Sequence, residues 1–279
     1  MNLGILLGLA SAVAYGASDF VGGVGARRAS SLQIALVGQT AGALALLAYA
    51  AVLPGSPIPS DFGWAALAGV GSASGSIFLL RGFARGRMGV VAPVSAVGAA
   101  ALPVLAGTAL GDRPGWISWT GMLVALPGIW LVSRETSSPA TSGSRGAFVD
   151  GALAGAGFGL LFIALAQLSD DAGPLPLAAD QAIGALLTAA TGLALRQPWR
   201  PGRRAIGWGS ASGVLGAGGT LAFALAAGAS ELGIVAVLAS LYPAVTVLLA
   251  AALLGERIRL AQRIGIGICT LAVATLALG

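Results

Sequence analysis

The sequence predicts an all-α membrane protein whose ten transmembrane helices form two inverted five-helix repeats. The composition, the number of long apolar runs and an internal repeat carry this prediction. Hydrophobic residues make up 57% of the 279 residues, and charged residues make up only 9%. A chain of this length cannot bury so much apolar surface in a core of its own, so we expect a lipid bilayer to cover the rest.

Ten apolar runs are each about 20 residues long, which is the length that an α-helix needs to cross the hydrocarbon core of a bilayer. Proline, glycine and charged residues separate them. The first run has no basic residue before it and ends in Arg27 and Arg28, so we interpret it as a retained helix rather than a signal peptide. The runs lie at about 3–24, 32–53, 63–83, 88–110, 116–133, 147–168, 175–195, 205–228, 232–254 and 261–278.

An internal repeat relates the two halves of the chain. A shift of 144 positions aligns residues 63–121 with residues 207–265 without a gap. Five spans per copy is an odd number, so the second copy must enter the membrane in the opposite orientation, as in secondary transporters. The shift places Gly63-Trp64 on Gly207-Trp208, and Leu110-Gly111-Asp112-Arg113 on Leu254-Gly255-Glu256-Arg257.

The most polar connection lies between the two halves. Residues 134–146 are rich in Ser, Thr and charged side chains, a composition that favours a linker. We therefore predict a first five-helix repeat at 1–133, a polar linker at 134–146 and a second five-helix repeat at 147–279.

Arginine is distributed unevenly over the connections. The five odd-numbered connections hold every arginine except Arg113, and the chain has no Lys. By the positive-inside rule the odd connections are cytoplasmic, which predicts both termini on the extracytoplasmic side of a bacterial inner membrane. The arginines stand singly or in short groups beside apolar runs, as membrane anchors do, so the net charge of +5 does not indicate a nucleic-acid partner.

The residue inventory argues against an enzyme. The chain has no His and a single Cys, Cys269, inside an apolar run. This inventory excludes intramolecular disulfides, His-based acid–base catalysis and the familiar His/Cys metal sites. The glycine-rich segments lack the Lys of a phosphate-binding loop. We expect no cofactor and no metal; the expected partners are the lipid bilayer, a small-molecule substrate and, as a candidate coupling ion, the proton.

Three short motifs extend this interpretation. The fourth span opens with Gly-Val-Val-Ala-Pro (Gly89–Pro93), the ninth ends in Leu-Gly-Glu-Arg (Leu254–Arg257), and the first contains Tyr-Gly-Ala-Ser-Asp-Phe (Tyr15–Phe20). With the paired five-helix halves, they resemble the EamA-type branch of the drug/metabolite transporter superfamily over essentially the whole chain. The resemblance implies a carrier driven by a proton or other gradient, often an exporter of amino acids or related metabolites, with a cavity between its halves.

Two glutamines occupy corresponding places in the second and seventh spans. The segment that starts at Gln39 reads Gln-Thr-Ala-Gly-Ala-Leu, and the one that starts at Gln181 reads Gln-Ala-Ile-Gly-Ala-Leu. An amide inside an apolar span must find hydrogen-bond partners. Across a pseudo-twofold axis, two such amides would offer donors and acceptors to one polar ligand. The alternative is hydrogen bonding between helices.

An intramembrane carboxylate suggests function by default. Asp19 in the first span is therefore a candidate for proton coupling or cation binding. The alternative is an interfacial ion pair with Arg27, Arg28 or Arg81. Asp180, near one end of the seventh span, is predicted to be interfacial.

Four hydroxyl side chains complete the candidate substrate site. Ser72 and Ser76 stand one turn apart in the third span, and Tyr15 and Tyr242 can each present a hydroxyl to a cavity. The alternative for the serines is close contact between helices. We also expect the backbone to loosen at Pro93, at Pro103 and at Tyr242-Pro243.

These features predict a secondary transporter that exports a small polar or zwitterionic, amino-acid-like metabolite by alternating access of its two inverted halves. One alternative is a proton-coupled exporter of lipophilic cations or drugs that works through Asp19. The other is a non-transporting membrane scaffold.

Overall fold

We describe the fold from a computed structural model that covers residues 3–84, 88–133, 144–197 and 200–278. Every regular element in these ranges is an α-helix, and ten stretches are long and apolar enough to cross a membrane, which confirms the predicted fold class. Of the predicted linker, residues 134–143 lie outside the described ranges. The helices are α1 (Leu3–Ala26), α2 (Ser31–Val52), α3 (Pro59–Ala84), α4 (Met88–Leu110), α5 (Trp116–Ser133), α6 (Ser144–Leu165), α7 (Pro174–Ala194), α8 (Arg203–Ala227), α9 (Leu232–Ala239), α10 (Tyr242–Leu254) and α11 (Leu260–Leu278).

The ninth span is a broken helix that consists of α9 and α10. Ser240 and Leu241 separate the two parts. Pro243 has no N–H to donate to the Ala239 carbonyl, so the regular hydrogen-bond ladder stops there. The expected loosening therefore occurs at Tyr242-Pro243. Pro93 and Pro103, in contrast, lie inside a continuous α4.

Contacts between connections define the two ends of the bundle. At the arginine-rich end, which holds the odd-numbered connections, Arg27 forms a salt bridge with Glu256, and Gln33 Nε2 donates to the Arg200 carbonyl at 2.7 Å. At the opposite end, the Ser56 N–H donates to the Asp171 carbonyl at 2.7 Å. These contacts join the first connection to the ninth, the start of α2 to the seventh connection, and the second connection to the sixth, as alternating spans require.

Helices of the two repeats pack mainly against each other rather than within their own repeat. α1, α2, α8, α9 and α10 form one group, which we call the α1 bundle. α3, α4, α6 and α7 form its pseudo-symmetric counterpart, the α6 bundle. The two bundles meet where α2 crosses α7 and where α4 packs against α9, while α5 and α11 pack against each other. Each packing unit therefore draws helices from both repeats.

The buried core surrounds α9, whose eight residues are all buried. One cluster of buried side chains joins α9 to α1, α4, α5 and α11, and a second joins it mainly to α6, α7 and α8. Large apolar side chains on the outside are exposed, among them Leu44 at 62% and Leu186 at 69%. Exposed apolar surface of this extent is the surface that a bilayer covers.

Candidate functional site

The two predicted glutamines meet the opposite helix at the α2–α7 crossing. A Cβ placed on Gly184 of α7 would lie 3.1 Å from Gln39 Nε2, and one placed on Gly42 of α2 would lie 3.3 Å from Gln181 Oε1. Gly42 and Gly184 occupy equivalent positions, three residues after each glutamine. The contacts are therefore reciprocal, and a Cβ at either position would require the facing amide to move by a few tenths of an ångström.

The two amides are held through different atoms, Gln39 through its oxygen and Gln181 through its nitrogen. Gln39 Oε1 accepts a hydrogen bond from the Thr188 hydroxyl at 2.8 Å, whereas Gln181 Nε2 donates to Asp180 Oδ2 at 3.3 Å. Gln39 thus turns its Nε2 donor towards the crossing, and Gln181 turns its Oε1 acceptor towards it. One donor and one acceptor on a pseudo-twofold axis match a ligand that carries both kinds of group.

The structure brings Ser72 to this crossing but not Ser76. A Cβ on Gly184 would lie 3.0 Å from Ser72 Oγ, and Ser72 also donates to the Gly69 carbonyl at 3.3 Å. Ser76 is half-buried and makes no hydrogen bond within the described part of the chain. Besides the shift of 144 positions, a shift of 147 positions aligns α1 with α6. It places Gly4 on Gly151 and Gly8 on Gly155.

Under these shifts, Ser76 corresponds to Thr220, and the residue that corresponds to Tyr15 is Phe162. The Tyr15 hydroxyl hydrogen-bonds the Thr220 hydroxyl at 3.0 Å. Ser76 has no such partner, because Phe162 has no hydroxyl. The rings of Tyr15 and Phe162 lie 6.2 Å apart, so this equivalent pair, like the glutamines, meets near the pseudo-twofold axis.

Asp19 follows Tyr15 by one turn of α1, and α1 packs against α10, which begins at Tyr242. The backbone carbonyl of Tyr242 lies against Gly16, where an added Cβ would be 2.6 Å away. The Tyr242 hydroxyl makes no hydrogen bond to any described residue. Tyr15, Asp19 and Tyr242 thus form a second polar group where α1 packs against α10.

The arginines named as alternative partners of Asp19 are engaged elsewhere. Arg81 donates from Nε to Asp150 Oδ1 at 2.8 Å, and the Arg28 guanidinium lies 5.3 Å from the centre of the Trp208 ring. Arg27 pairs with Glu256 at 3.0 Å. Within the described residues Asp19 forms no salt bridge, so the interfacial ion pair is absent.

Asp180, predicted to be interfacial, is enclosed among helices and has no exposed surface. Its backbone carbonyl lies 2.8 Å from the Cβ position of Gly69 on α3, so close packing of α7 on α3 encloses it. Sequence reasoning also missed Thr188, whose hydroxyl orients the Gln39 amide. For Asp180 the sequence did carry a signal, namely an acid directly before a glutamine, about two turns inside an apolar span.

A cavity of about 370 Å³ lies away from this region, towards the end of the bundle opposite the arginine-rich end. None of the six residues predicted to contact substrate lines it. Burial and the nearby charge of Asp112 raise the pKa of Glu231, and a hydrogen bond from the Arg113 backbone opposes them. The residues that line the cavity include Ile5, Ser118, Ser230, Glu231, Ile234 and Leu276.

Comparison with known proteins identifies the family. The EamA-like transporter family matches residues 2–134 and again residues 148–278. A solved crystal structure, of a protein described without a function, is similar in fold, with a TM-score of 0.78 and 16% identity over 99% of this chain and 96% of that one. No curated protein matches the sequence. The two family matches cover nearly the whole chain, and members of this family are transporters: the protein belongs to the EamA-like transporter family, within the drug/metabolite transporter superfamily.

Proposed function

We propose that this transporter exports a small polar or zwitterionic, amino-acid-like metabolite, which binds at the α2–α7 crossing. The observation that carries the proposal is the reciprocal packing of Gln39 on Gly184 and of Gln181 on Gly42. An inward-facing N–H₂ group and an inward-facing carbonyl suit a ligand with both an acceptor and a donor, such as a carboxylate and an ammonium group. Ser72, Tyr15 and Tyr242 supply hydroxyls nearby, and Ser76 stays a weaker candidate because no described contact draws it to the crossing.

The proposed mechanism is alternating access in which the α1 bundle and the α6 bundle rock against each other. The crossings of α2 with α7 and of α4 with α9 are where these bundles meet. The moving bodies then combine helices from both sequence repeats, which we assign to residues 1–133 and 147–279. The break before Tyr242-Pro243 provides a place where the ninth span can bend. We propose no catalytic role and no cofactor.

The arginine distribution supports a proposed orientation in the membrane. With the arginine-rich end in the cytoplasm of a bacterial inner membrane, both termini are extracytoplasmic. Accessibility of single cysteines to an impermeant thiol reagent in intact cells tests this orientation, in a background where Cys269 is replaced by Ala. Labelling at position 56 but not at position 27 supports the orientation; the opposite pattern overturns it.

A second candidate function is proton-coupled export of lipophilic cations. Asp19 supports it, because this acid is exposed and has no ion-pair partner among the described residues. Asp19→Asn should then abolish efflux of a lipophilic cation dye. Unchanged efflux in this variant excludes the Asp19 mechanism.

Thermal-shift screening of the purified protein tests the leading proposal. Amino acids, nucleosides, sugars and cations form the panel, and only a compound that binds the folded state stabilises it, by about 2.7 kcal/mol at a concentration of 100 Kd. Gln39→Leu and Gln181→Leu should each reduce the stabilisation at this concentration to about 1.4 kcal/mol, because a ligand that binds tenfold more weakly is then present at only 10 Kd. Thr40→Val should retain it, because Thr40 is exposed and its hydroxyl bonds its own helix at the Leu36 carbonyl. If reconstituted protein transports no member of the panel, a non-transporting scaffold is favoured.

A further inference from the structure

Asp180 is a completely buried acid with too few hydrogen-bond partners for an anion. Its relative exposure is 0%, and its Oδ1 atom has no hydrogen-bond partner among the described residues. Its Oδ2 atom accepts only the 3.3 Å bond from Gln181 Nε2. A carboxylate normally accepts several short hydrogen bonds or pairs with a cation when it is buried.

The helices that pack against α7 bring no cation to this acid. Asp61 is satisfied by Ser169 and by the Ile58 N–H, and Arg81 pairs with Asp150. None of the charged groups on these helices forms a salt bridge with Asp180. The titratable or charged side chains on them are Tyr49 on α2, Asp61 and Arg81 on α3, and Arg203 and Arg204 on α8.

The free energy of burial favours the neutral acid at this position. Moving an unpaired carboxylate from water into an apolar interior costs several kcal/mol after relaxation of the protein. One long bond from a neutral amide offsets only a small part of that cost. A bound proton removes the charge and supplies a donor at the same time.

The position of Asp180 links it to the candidate substrate site. It precedes Gln181, whose amide it holds by the bond at Oδ2. A change in its protonation therefore alters the hold on the Gln181 amide. Asp19, in contrast, has no described contact with either glutamine.

We propose that Asp180 is a proton-binding site, and that its proton is released to water and taken up again during transport. The proton site itself follows from the burial and contacts of Asp180, whereas its role in coupling rests on the proposed transport function. Binding forms the O–H bond of a neutral carboxylic acid; release leaves the carboxylate and a proton in the water at the open end of the carrier.

Infrared spectroscopy of the reconstituted protein tests the proton site without any transport substrate. A protonated carboxyl group has a carbonyl stretch that is separate from the amide band. This band should be present at neutral pH, disappear in Asp180→Asn, shift in Asp180→Glu and persist in Asp19→Asn and in the exposed control Asp170→Asn. Circular dichroism verifies that each variant folds, and Asp180→Asn resembles the neutral acid in shape and charge.

Three results overturn the proton site: no band in the unchanged protein, a band that survives Asp180→Asn, or a band that disappears when sodium replaces potassium, which identifies a sodium site. A separate measurement tests coupling, since Asp180→Asn should abolish the response of transport to a pH gradient while exchange of substrate continues. Transport in the unchanged protein without the infrared band contradicts this inference alone. The band without transport contradicts the proposed function alone.

Discussion

The α1–α8 and α3–α6 contacts are equivalent under the pseudo-twofold axis, but different chemical groups hold them together. Along the middle of α1–α8, hydroxyl groups make the contacts: Ser11 donates to the Gly219 carbonyl at 2.9 Å, and the hydroxyls of Ser18 and Ser212 lie 3.1 Å apart. The equivalent positions of α3–α6 are apolar apart from Ser76, and among the described residues its polar contacts lie at its two ends. The apolar replacements are Phe158 for Ser11, Phe162 for Tyr15, Leu165 for Ser18 and Ala68 for Ser212.

The ends of α3–α6 are held by buried acids. Asp61 accepts hydrogen bonds from the backbone and side chain of Ser169 at one end, and Asp150 pairs with Arg81 at the other. Duplication thus preserved the backbone packing while the polar side chains diverged. α3–α6 has the features of a fixed contact, whereas the hydroxyl pairs of α1–α8, beside the candidate site, have partners that water or a ligand can replace.

The largest effect is expected from a side chain at Gly157 in the middle of α3–α6. A Cβ there would lie 2.7 Å from Gly75 Cα and 2.8 Å from the Gly71 carbonyl, so the helix backbones must separate. Gly157→Ala should lower the free energy of unfolding by about 3 kcal/mol, measured by thermal or denaturant unfolding in detergent. The matched control is Gly218→Ala, whose Cβ meets nothing within 4 Å. Equal stability of the two variants contradicts the fixed backbone contact.

A smaller loss is expected when the buried end of α3–α6 loses its charge. Asp150 is 1% exposed, but the Arg81 side chain is 43% exposed, so water compensates part of the lost ion pair. Asp150→Asn should destabilise the protein by about 2 kcal/mol. Glu256→Gln breaks the exposed pair with Arg27 and should change stability by less than about 0.5 kcal/mol. If Glu256→Gln lowers the free energy of unfolding more than Asp150→Asn does, the assignment of α3–α6 as the fixed contact is wrong.

The smallest effect is expected at the hydroxyl pairs of α1–α8. Tyr15→Phe and Thr220→Val should each cost roughly 0.6 kcal/mol, the typical value for a hydrogen bond between helices in a membrane. A double-mutant cycle of unfolding free energies should show that the two losses are coupled, because both variants remove the same bond. Additive losses show that this bond does not contribute to stability.

The sequence predicted the features that depend on composition and on the repeat. Apolar length was sufficient for the ten spans, and equivalent positions were sufficient to identify Gln39 and Gln181 as corresponding residues of α2 and α7. The break in the ninth span followed from the missing N–H of Pro243. Pro93 and Pro103, by contrast, lie inside a helix that continues past both prolines.

Features that depend on the register between helices were not predictable from one sequence. The Thr188 partner of Gln39 and the burial of Asp180 arise from how α7 packs against α2 and α3. Distance from the start of its span made Asp180 look interfacial. The sequence also did not predict that each bundle combines helices of both repeats, since an internal repeat identifies equivalent helices but not which helices are in contact.

Exchange transport in proteoliposomes tests the central claim most directly, which is that Gln39 and Gln181 bind the substrate on the pseudo-twofold axis. The substrate used is the radiolabelled panel compound that stabilises the purified protein most. Loss of one amide hydrogen bond of about 1.4 kcal/mol should reduce apparent affinity about tenfold in Gln39→Leu and in Gln181→Leu, and Thr40→Val should leave it unchanged. Equal affinity in the unchanged protein and in the double variant Gln39→Leu, Gln181→Leu would contradict the claim.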